Sequence, residues 1–151
     1  MSGRLEAIWS KRAHRGTMDP LEQVELIAGK GVAGSVGRST RRQVTVIERE
    51  VWDRVQQELG ATIPPAARRA NLMISGVALV ETRGQVLRIG ETLIKIGGHT
   101  TPCERMDEAH SGLQDALRAQ WGGGAFAQVL VGGTIRIGDA VQWEQMALDV
   151  R

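Results

Sequence analysis

The sequence predicts a mainly β fold contained in a single domain. Nineteen glycines are spread along 151 residues and separate short apolar runs, a spacing typical of many short strands joined by tight turns. Several of these runs are rich in β-branched residues, which favour extended chain. A chain of this length can bury a full core without cross-links. We therefore predict one domain over residues 1–151, built as a β-barrel or sandwich with a few short helices.

The N-terminal strands are predicted to flank a glycine-rich loop. GRLEAIW (residues 3–9) and LEQVELI (residues 21–27) have the apolar content of strands. The stretch AGKGVAGSVGRS (residues 28–39) contains too many glycines for regular structure, so we predict a loop whose backbone can approach a ligand closely. RQVTVI (residues 42–47) is then a β-branched strand.

A change of hydrophobic period marks the first predicted helix. Val51, Val55 and Leu59 recur at four-residue spacing, as expected for one apolar side of a helix. Gly60 follows as a C-terminal stop, because glycine readily adopts the left-handed conformation that ends many helices. The sequence thus predicts a short amphipathic helix over residues 48–59.

The next segments are predicted to be a connector followed by strands. Two prolines in TIPPAARR (residues 62–69) forbid an ordinary helix or a central strand, and NLMISGVAL (residues 71–79) resumes strand character. LRIGETLIK (residues 87–95) and IRIGDAVQW (residues 135–143) share the order apolar residue, Arg, Ile, Gly, acid. Similar strands leaving similar glycine turns explain this likeness, and a duplicated half-domain is the alternative.

A second helix is predicted between these two similar segments. Ser111 and Gln114 form the Ser-x-x-Gln pattern of a capping box, and the three glycines at residues 122–124 end the segment. The apolar side of this helix consists of Leu113, Ala116 and Leu117.

Positive charge is concentrated locally although the net charge is only +2. No acidic residue occurs between Ile27 and Ile47. Aromatic residues make up 3% of the chain, so few side chains can stack on nucleic-acid bases. We therefore expect the positively charged residues of this region to bind a small anion and not a nucleic acid. The cations in and after this interval are Lys30, Arg38, Arg41, Arg42, Arg68 and Arg69.

One cysteine in the chain excludes an internal disulfide. MSGRLEAIWSKRAHRG (residues 1–16) lacks the continuous apolar run of a signal peptide, and no segment approaches the roughly 18 uninterrupted apolar residues of a spanning helix. We expect a soluble protein in a reducing cytoplasmic setting, without a membrane partner. Nothing in the sequence indicates an oligomeric state.

The lone cysteine, Cys103, follows a proline in HTTPCERMDEA (residues 99–109). Pro102 disfavours helix at the residue before it, so we predict a loop and then a helix that begins at or just after the cysteine. A helix N-terminus favours an anion such as a thiolate, and Arg105 and His99 are close enough in sequence to help, His99 as a proton donor or acceptor. The alternative is a buried cysteine that acts as a small apolar side chain. The acidic residues that oppose a thiolate here are Glu104, Asp107 and Glu108.

Side chains that bind zinc are sparse in this region. His99 and Cys103 are four residues apart and His110 follows, without a CxxC motif, an HExxH motif or a dense set of carboxylates. We therefore expect no zinc site. His14, within KRAHR, is expected to be solvated.

GKGVAGSVGR (residues 29–38) invites comparison with phosphate-binding loops. A Walker loop ends its glycine frame with Lys and Ser or Thr and leads into a helix, whereas a strand is predicted to follow here. A looser arrangement remains, in which glycine amides and basic side chains gather around an oxyanion, and a solvated basic loop is the alternative. The basic residues of this arrangement are Lys30, Arg38, Arg41 and Arg42.

Four blocks of the chain, taken in order, resemble the MOSC domain, a module named after the C-terminal region of molybdenum cofactor sulfurases and also found as free-standing bacterial proteins. The resemblance covers about residues 24–143. VELIAGKGVAGSVGRSTRRQVTVIERE resembles the family's glycine loop and following strand, and RRANLMISGVAL resembles its Arg-x-Asn strand. TPCERMDEAHSGLQDAL resembles its cysteine loop and helix, and GGAFAQVLVGGTIRIGDAV resembles its final hairpin.

The resemblance implies a strongly bent, mostly antiparallel β-barrel with a few short helices. It also implies that Cys103 either carries sulfur as a persulfide or ligates molybdenum in a pterin cofactor. A soft thiolate suits a molybdenum or sulfane-sulfur centre, and arginines match the phosphate of a pterin. The family's glycine loop corresponds to Gly31, Gly34 and Gly37. The residues that the resemblance and the basic cluster predict to hold the cofactor are Arg69, Asn71, Arg38, Arg41, Arg42, Gly34 and Ser35.

Under this resemblance the protein is a sulfur-transfer protein or a molybdenum-dependent reductase of N-hydroxylated compounds. A pyridoxal-phosphate-dependent cysteine desulfurase would supply sulfur in the first case, and an electron-donating protein would be required in the second. The chain departs from the family pattern at Ser35, Val36 and Gly37, and again at Ala70 and Thr101, where polar or charged residues are usual. These departures favour the alternative, a non-catalytic barrel that binds a phosphorylated small molecule or a protein partner.

Overall fold

A computed structural model describes residues 3–13, 15–36 and 39–144, so His14, Gly37 and Arg38 lie outside the described residues. Strands dominate the described chain, which confirms the mainly β class. The strands are β1 (Gly3–Lys11), β2 (Met18–Leu21), β3 (Gln23–Ile27), β4 (Gly31–Val32), β5 (Val44–Glu48), β6 (Leu72–Ser75), β7 (Val86–Ile89), β8 (Thr92–His99), β9 (Ala125–Val131), β10 (Gly133–Arg136) and β11 (Ala140–Trp143). The helices are α1 (Arg49–Leu59), α2 (Arg105–Ala109) and α3 (Leu113–Ala116), with 3-10 turns at Pro65–Arg68 and Ala119–Trp121.

Seven of the described strands close into a barrel in the order β11-β7-β8-β9-β5-β6-β1, and β1 pairs back to β11. β2 adds to β1 outside this ring, while β10, β3 and β4 form a separate small sheet. Among these described strands, β5 and β6 are the one parallel pair. Register shifts in β1 and in the β8–β9 pair allow the strands to bend. The bent, mostly antiparallel barrel that the family resemblance implies is thus confirmed.

The barrel encloses an aliphatic core. Side chains alternate between the two faces of each strand, and β8 accordingly alternates fully buried with less buried residues along its length. Leu5, Leu72 and Ile94 have no exposed surface. Removing such side chains from water is the main favourable contribution to folding.

A second apolar cluster packs the three helices together. α1 contributes Trp52 and Val55, and the indole N–H of Trp52 donates to the carbonyl of Ile63 over 2.9 Å. Met106 of α2 and Leu113 of α3 complete the contact. Because α2 follows the cysteine loop directly, this cluster holds one side of that loop. None of the helices in the described ranges is long and apolar enough to cross a bilayer.

The first predicted helix is confirmed, and the second is divided. α1 spans Arg49–Leu59, and Gly60 ends it in the left-handed conformation at φ 61°. The second, predicted from Ser111 to the glycines at residues 122–124, consists of the short helix α3 and a 3-10 turn, and α2 lies before it. The predicted capping box is wrong, because Gly112 occupies the N-cap of α3 and the backbone N–H of Gln114 donates to Asp107 Oδ1 over 2.9 Å. A carboxylate from α2 therefore caps this helix in place of the serine hydroxyl.

Several predicted strand boundaries are also wrong. The strand predicted over residues 21–27 contains the last residue of β2 and the whole of β3. The division falls after Leu21, because β2 pairs with β1 whereas β3 pairs with β10 in the small sheet. The loop predicted over residues 28–39 contains the short strand β4, paired with β3. The strand predicted over residues 71–79 ends at Ser75. The two similar segments, residues 87–95 and 135–143, each consist of a strand, a glycine turn and a second strand. They are paired differently, because β7 pairs with β8 whereas β10 and β11 belong to different sheets.

Replacing Glu48 with Gln is expected to stabilise the protein at neutral pH. Burial raises the pKa of Glu48 above its usual 4.5 even though its carboxylate accepts the N–H of Leu79 over 3.3 Å. Because the pKa of Glu48 is higher in the folded than in the unfolded state, ionising this carboxyl group destabilises the folded state. The free energy of unfolding therefore falls as the pH rises from 4.5 through the folded-state pKa. Glu48→Gln should therefore unfold at higher urea than wild type at pH 7, and the difference should shrink as the pH falls below 4.5.

The control for this measurement is Glu91→Gln, which removes an exposed carboxylate and is expected to change the unfolding free energy by less than about 0.5 kcal/mol. A Glu48→Gln variant that is less stable than wild type at pH 7 would show that burial is not the dominant influence on the pKa of Glu48.

Candidate functional site around Cys103

The thiol of Cys103 is exposed at the start of the segment that leads into α2. Pro102 before it is buried, and the carbonyl of Cys103 accepts the backbone N–H of Met106 over 2.9 Å. The helix begins at Arg105, two residues after the cysteine, as the sequence predicts. An exposed side chain excludes the alternative in which this cysteine is only a buried apolar group.

Two cavities have Cys103 in their lining. The first, which we call the Arg42 cavity, has a volume of about 260 Å³. The second, the Lys11 cavity, has a volume of about 170 Å³. Both are lined by Arg68, Arg69 and Cys103. The Arg42 cavity is further lined by Arg42, Thr45 and Thr101, and the Lys11 cavity by Lys11, Arg105 and Met106.

Arg68 is fixed by hydrogen bonds to groups far away in the sequence. Its Nε donates to the carbonyl of Gly123 and its Nη2 to Thr100 Oγ1, each over 2.9 Å. A Cβ at Gly123 would lie 2.3 Å from the Thr100 carbonyl oxygen, so this close approach requires glycine. Burial lowers the pKa of Arg68, and the neighbouring Cys103 charge acts in the opposite direction. Arg68 is thus held beside the thiol in a fixed orientation.

Arg69 reaches the site through a left-handed backbone conformation. It ends the 3-10 turn at φ 63°, a conformation that costs a non-glycine residue about 1–2 kcal/mol. Burial, followed by the nearby charges of Arg105 and Arg15, lowers the pKa of Arg69. Among the described residues, the buried atoms Nη2 of Arg69 and Nε of Arg105 have no hydrogen-bond partner. Unpaired buried donors are costly, and an anion would satisfy them.

Lys11, at the end of β1, adds a further cation to the Lys11 cavity. Burial lowers its pKa, and the charges of Arg69 and Arg105 lower it further. Among the described residues, no carboxylate lines either cavity. Asp107, which the sequence places near the cysteine, caps α3 instead. The uncompensated positive charge makes both cavities suited to anions.

Arg41 and Arg42 are adjacent in sequence but lie on different cavities. Both guanidinium groups stack on the ring of Phe126, at 5.4 Å for Arg41 and 4.9 Å for Arg42. Arg42 lines the cavity that contains Cys103, whereas Arg41 lines a separate small cavity with Lys95. The basic cluster predicted from the sequence is therefore divided by the structure.

A family model for the MOSC domain matches residues 27–142. The chain belongs to the MOSC domain family. Among solved structures, it is similar to the YuaD protein of Bacillus subtilis, with a TM-score of 0.81 and 17% identity over 93% of this chain and 94% of that one. It is also similar to YiiM of Geobacillus stearothermophilus, with a TM-score of 0.71 and 16% identity over 97% and 77% of the two chains. A search of curated proteins gave no significant match.

Within the MOSC domain, Asn71 lies beneath the site. It is 9% exposed. Its Oδ1 accepts the N–H and the hydroxyl of Thr45, and its Nδ2 donates to the carbonyl of Trp9 and to Ser35 Oγ. Both amide hydrogens and both lone pairs are thus engaged inside the protein. The cofactor contact predicted for Asn71 remains a prediction, and the structure shows a residue that joins β5, β1 and the glycine loop.

Ser35 and Gly34 shape the glycine loop and do not line either cavity. Ser35 is 2% exposed, and its hydroxyl accepts the backbone N–H of Lys11 over 2.9 Å. Gly34 has φ 77°, which favours glycine. The hydrogen bonds from Asn71 through Ser35 to Lys11 therefore fix the strand end that carries a cavity cation.

His99 is exposed at the end of β8 and packs against Trp121, with ring centroids 5.5 Å apart. It does not line the cavities at Cys103, so its predicted role in proton transfer has no direct contact to support it. Arg38 and Gly37 lie outside the described residues. Within the described ranges, no three His, Cys, Asp or Glu side chains cluster as metal ligands, and the expectation of no zinc remains a prediction.

The sequence placed Arg68 in the anion-binding basic cluster without assigning it to the cofactor site at Cys103, and it gave no role to Lys11. Arg68 precedes the arginine that matches the family motif, and Lys11 lies in a strand outside the region of resemblance. The available signal for Arg68 was the doubled arginine after two prolines. For Lys11 no local signal existed, because its place depends on the pairing of β1 with the loop that contains Ser35.

Replacing Asn71 with Ala is expected to lower the free energy of unfolding by about 3 kcal/mol. The change leaves the buried N–H of Thr45 and the carbonyl of Trp9 without their side-chain partner, and each such loss costs about 1–3 kcal/mol. Urea denaturation of wild type and variant measures the difference. A variant with unchanged stability would show that the amide does not have this structural role.

Proposed function

We propose that this MOSC domain binds a molybdenum-pterin cofactor with Cys103 as its thiolate ligand, or carries sulfur on Cys103 as a persulfide. The observation that supports both versions is the position of the chain's lone thiol, which is exposed and belongs to the lining of two cation-lined cavities. A thiolate is the form of cysteine that binds metals and attacks sulfur.

The residues present fit such a cofactor. A thiolate is a soft ligand suited to molybdenum. The unpaired guanidinium nitrogens of Arg69 and Arg105, beside Lys11, supply donors for a phosphate. When bound, the cofactor supplies the redox chemistry of molybdenum. An electron-donating protein is the partner that this version requires.

The chain's own residues have distinct tasks in this proposal. Lys11, Arg69 and Arg105 hold the anionic end of the cofactor and are in turn relieved of mutual repulsion. Arg68, fixed by Gly123 and Thr100, keeps a positive charge beside the sulfur and attracts the anionic groups that bind there. Exposure of Cys103 lets water exchange the thiol proton without a dedicated base.

In the sulfur-carrier version, Cys103 is loaded by a separate protein. The Cys103 thiolate attacks the outer sulfur of a persulfide on a pyridoxal-phosphate-dependent cysteine desulfurase. A bond forms between Sγ and that sulfur, the donor's sulfur–sulfur bond breaks, and the donor's cysteine leaves as a thiolate. The surrounding cations stabilise the negative charge of the new persulfide.

A second candidate is a non-catalytic module that binds a phosphorylated small molecule. The observation that favours it is the wall of the Arg42 cavity, where the buried Ala70 stands in place of the family's usual acidic residue. Binding by the cations alone does not require the thiol. Under this candidate, Cys103→Ser would bind phosphate-bearing ligands as well as wild type does.

Molybdenum content tests the cofactor version. Protein purified from a host that makes the cofactor should contain molybdenum by elemental analysis, and Cys103→Ser should contain little, because a hydroxyl is a poor substitute for a thiolate ligand. Arg69→Gln should reduce the content through lost phosphate contacts. Equal molybdenum in wild type and Cys103→Ser would exclude Cys103 as the ligand.

Mass spectrometry tests the carrier version. Incubation with a cysteine desulfurase and cysteine should add one sulfur atom to wild type, and a reducing agent should remove it. Cys103→Ser, the matched control, has no thiol and should gain nothing. Wild type that stays unmodified with several desulfurases would contradict this version and leave the molybdenum version standing.

A further inference from the structure

Besides the shared Arg68 and Arg69, each cavity at Cys103 has cations of its own, and the proposed cofactor uses only those of the Lys11 cavity. Lys11 and Arg105 line the Lys11 cavity and do not line the other. Arg42 lines the Arg42 cavity and does not line the Lys11 cavity. The thiol of Cys103 is common to both. A ligand phosphate held by Lys11, Arg69 and Arg105 leaves Arg42 and Arg68 without an anion.

The guanidinium of Arg68 has donors left for a ligand. Of its five N–H donors, one on Nε and one on Nη2 are used by Gly123 and Thr100 among the described residues. The remaining three face no described carboxylate in either cavity. A guanidinium that is already oriented loses less conformational entropy when it binds a carboxylate or an oxyanion.

Arg42 is also oriented before any ligand binds. Its guanidinium lies 4.9 Å from the centre of the Phe126 ring. The ring can occupy that position because β8 has glycines beside it, and a Cβ at Gly97 would lie 2.6 Å from Phe126 Cε1. Ser39 Oγ accepts the backbone N–H of Arg42 over 3.1 Å. Of the three arginines that line the Arg42 cavity, Arg42 is thus held by an aromatic ring and Arg68 by a hydroxyl and a carbonyl, and neither is held by an acid.

The size of the cavities limits what can occupy them together. Sites for drug-sized ligands usually have volumes of about 300–1,000 Å³, whereas these cavities measure about 260 Å³ and 170 Å³. One cavity alone therefore does not hold both a pterin cofactor and a second reactant. The Lys11 cavity receives only the phosphate end of the cofactor, and the Arg42 cavity is left for a small second reactant, with Cys103 in the lining of both.

We propose that the Arg42 cavity is the site of a second, anionic reactant, a small molecule bearing a carboxylate or a sulfur or phosphorus oxyanion, which Arg42 and Arg68 hold beside Cys103. The assignment of this anion as a reactant rests on the proposed function, whereas the anion site itself does not. The cavity should select against neutral and cationic molecules of the same size, because each would leave two fixed guanidinium groups without a counter-charge.

Alkylation of the single thiol tests this site directly. Full-length protein made in a host without the molybdenum-pterin cofactor is treated with iodoacetate, which is an anion, or iodoacetamide, its neutral analogue. Both reagents alkylate the same thiolate and release iodide, so the ratio of their rates cancels the thiolate fraction and the exposure of the sulfur. We expect Arg42→Gln to lower the iodoacetate-to-iodoacetamide ratio about three- to tenfold, which corresponds to the net contribution of one hydrogen bond at an exposed arginine.

Arg41→Gln is the matched control. It removes the same charge from the neighbouring residue, which stacks on the same Phe126 ring but lines a different cavity. The ratio for this variant should stay within about twofold of wild type, since a single exposed charge outside the cavity is screened. Equal ratios in wild type, Arg42→Gln and Arg41→Gln, or equal losses in both variants, would overturn the proposal.

Protection at constant ionic strength identifies the anion. Acetate and sulfate, each compared with chloride, should slow the iodoacetate reaction of wild type more than that of Arg42→Gln. Stronger protection by acetate indicates a carboxylate reactant, and stronger protection by sulfate indicates an oxyanion. Protection no greater than that given by chloride would overturn the proposal.

Molybdenum analysis of the same variants separates this inference from the proposed function. The sequence predicts Arg42 as a cofactor contact, whereas this inference assigns it to the second reactant, so Arg42→Gln made in a cofactor-producing host should retain the molybdenum content of wild type. If it loses the metal together with the iodoacetate preference, the Arg42 cavity belongs to the cofactor and the inference is wrong. If wild type contains neither molybdenum nor persulfide but keeps the preference, the anion site stands and the proposed function fails.

Discussion

Positive charge lines both cavities at Cys103 without a carboxylate from the described residues, and the organisation of the site depends on how the chain holds that charge. Burying a cation without a partner is unfavourable. The buried part of Arg68 is stabilised by the Gly123 carbonyl and the Thr100 hydroxyl, whereas Arg42 is exposed and packs against the Phe126 ring. Arg69 keeps an unpaired buried nitrogen. The pKa of Arg69 is lowered because burial disfavours its charged form. A bound anion would offset this unfavourable burial of charge and thereby stabilise the fold.

The barrel brings these cations together through strands that are distant in sequence. β5 and β6 form the parallel pair, and the connection between them carries α1 and the 3-10 turn that ends at Arg68. Asn71 fixes the start of β6 against β5 and β1. Through Ser35, the same residue is linked to the backbone of Lys11. The position of the site is therefore a consequence of strand closure, and the side chains that line it come from opposite ends of the chain.

The cysteine loop is held from two sides. Pro102 is buried, and its carbonyl accepts a hydrogen bond from Gln114 Nε2 over 3.3 Å. Met106 packs into the apolar cluster of the helices and also lines the Lys11 cavity. Thr100 is tied to Gly123 at the start of the returning strand. A rigid loop between two packed regions keeps an exposed thiol in one place, which both proposed uses of the sulfur require.

The sequence by itself determined the mainly β class, the helix that Gly60 ends, and the loop and helix start around Cys103, because glycine spacing, apolar period and proline stereochemistry act over a few residues. The family motifs also indicated Arg69. Only the tertiary structure decided that Arg68 faces the thiol, that Arg41 and Arg42 lie on different cavities and that Asn71 is internal. These outcomes depend on hydrogen bonds and ring contacts between residues 26 to 84 positions apart. Such contacts exist only once the barrel has closed, so local sequence carries no record of them.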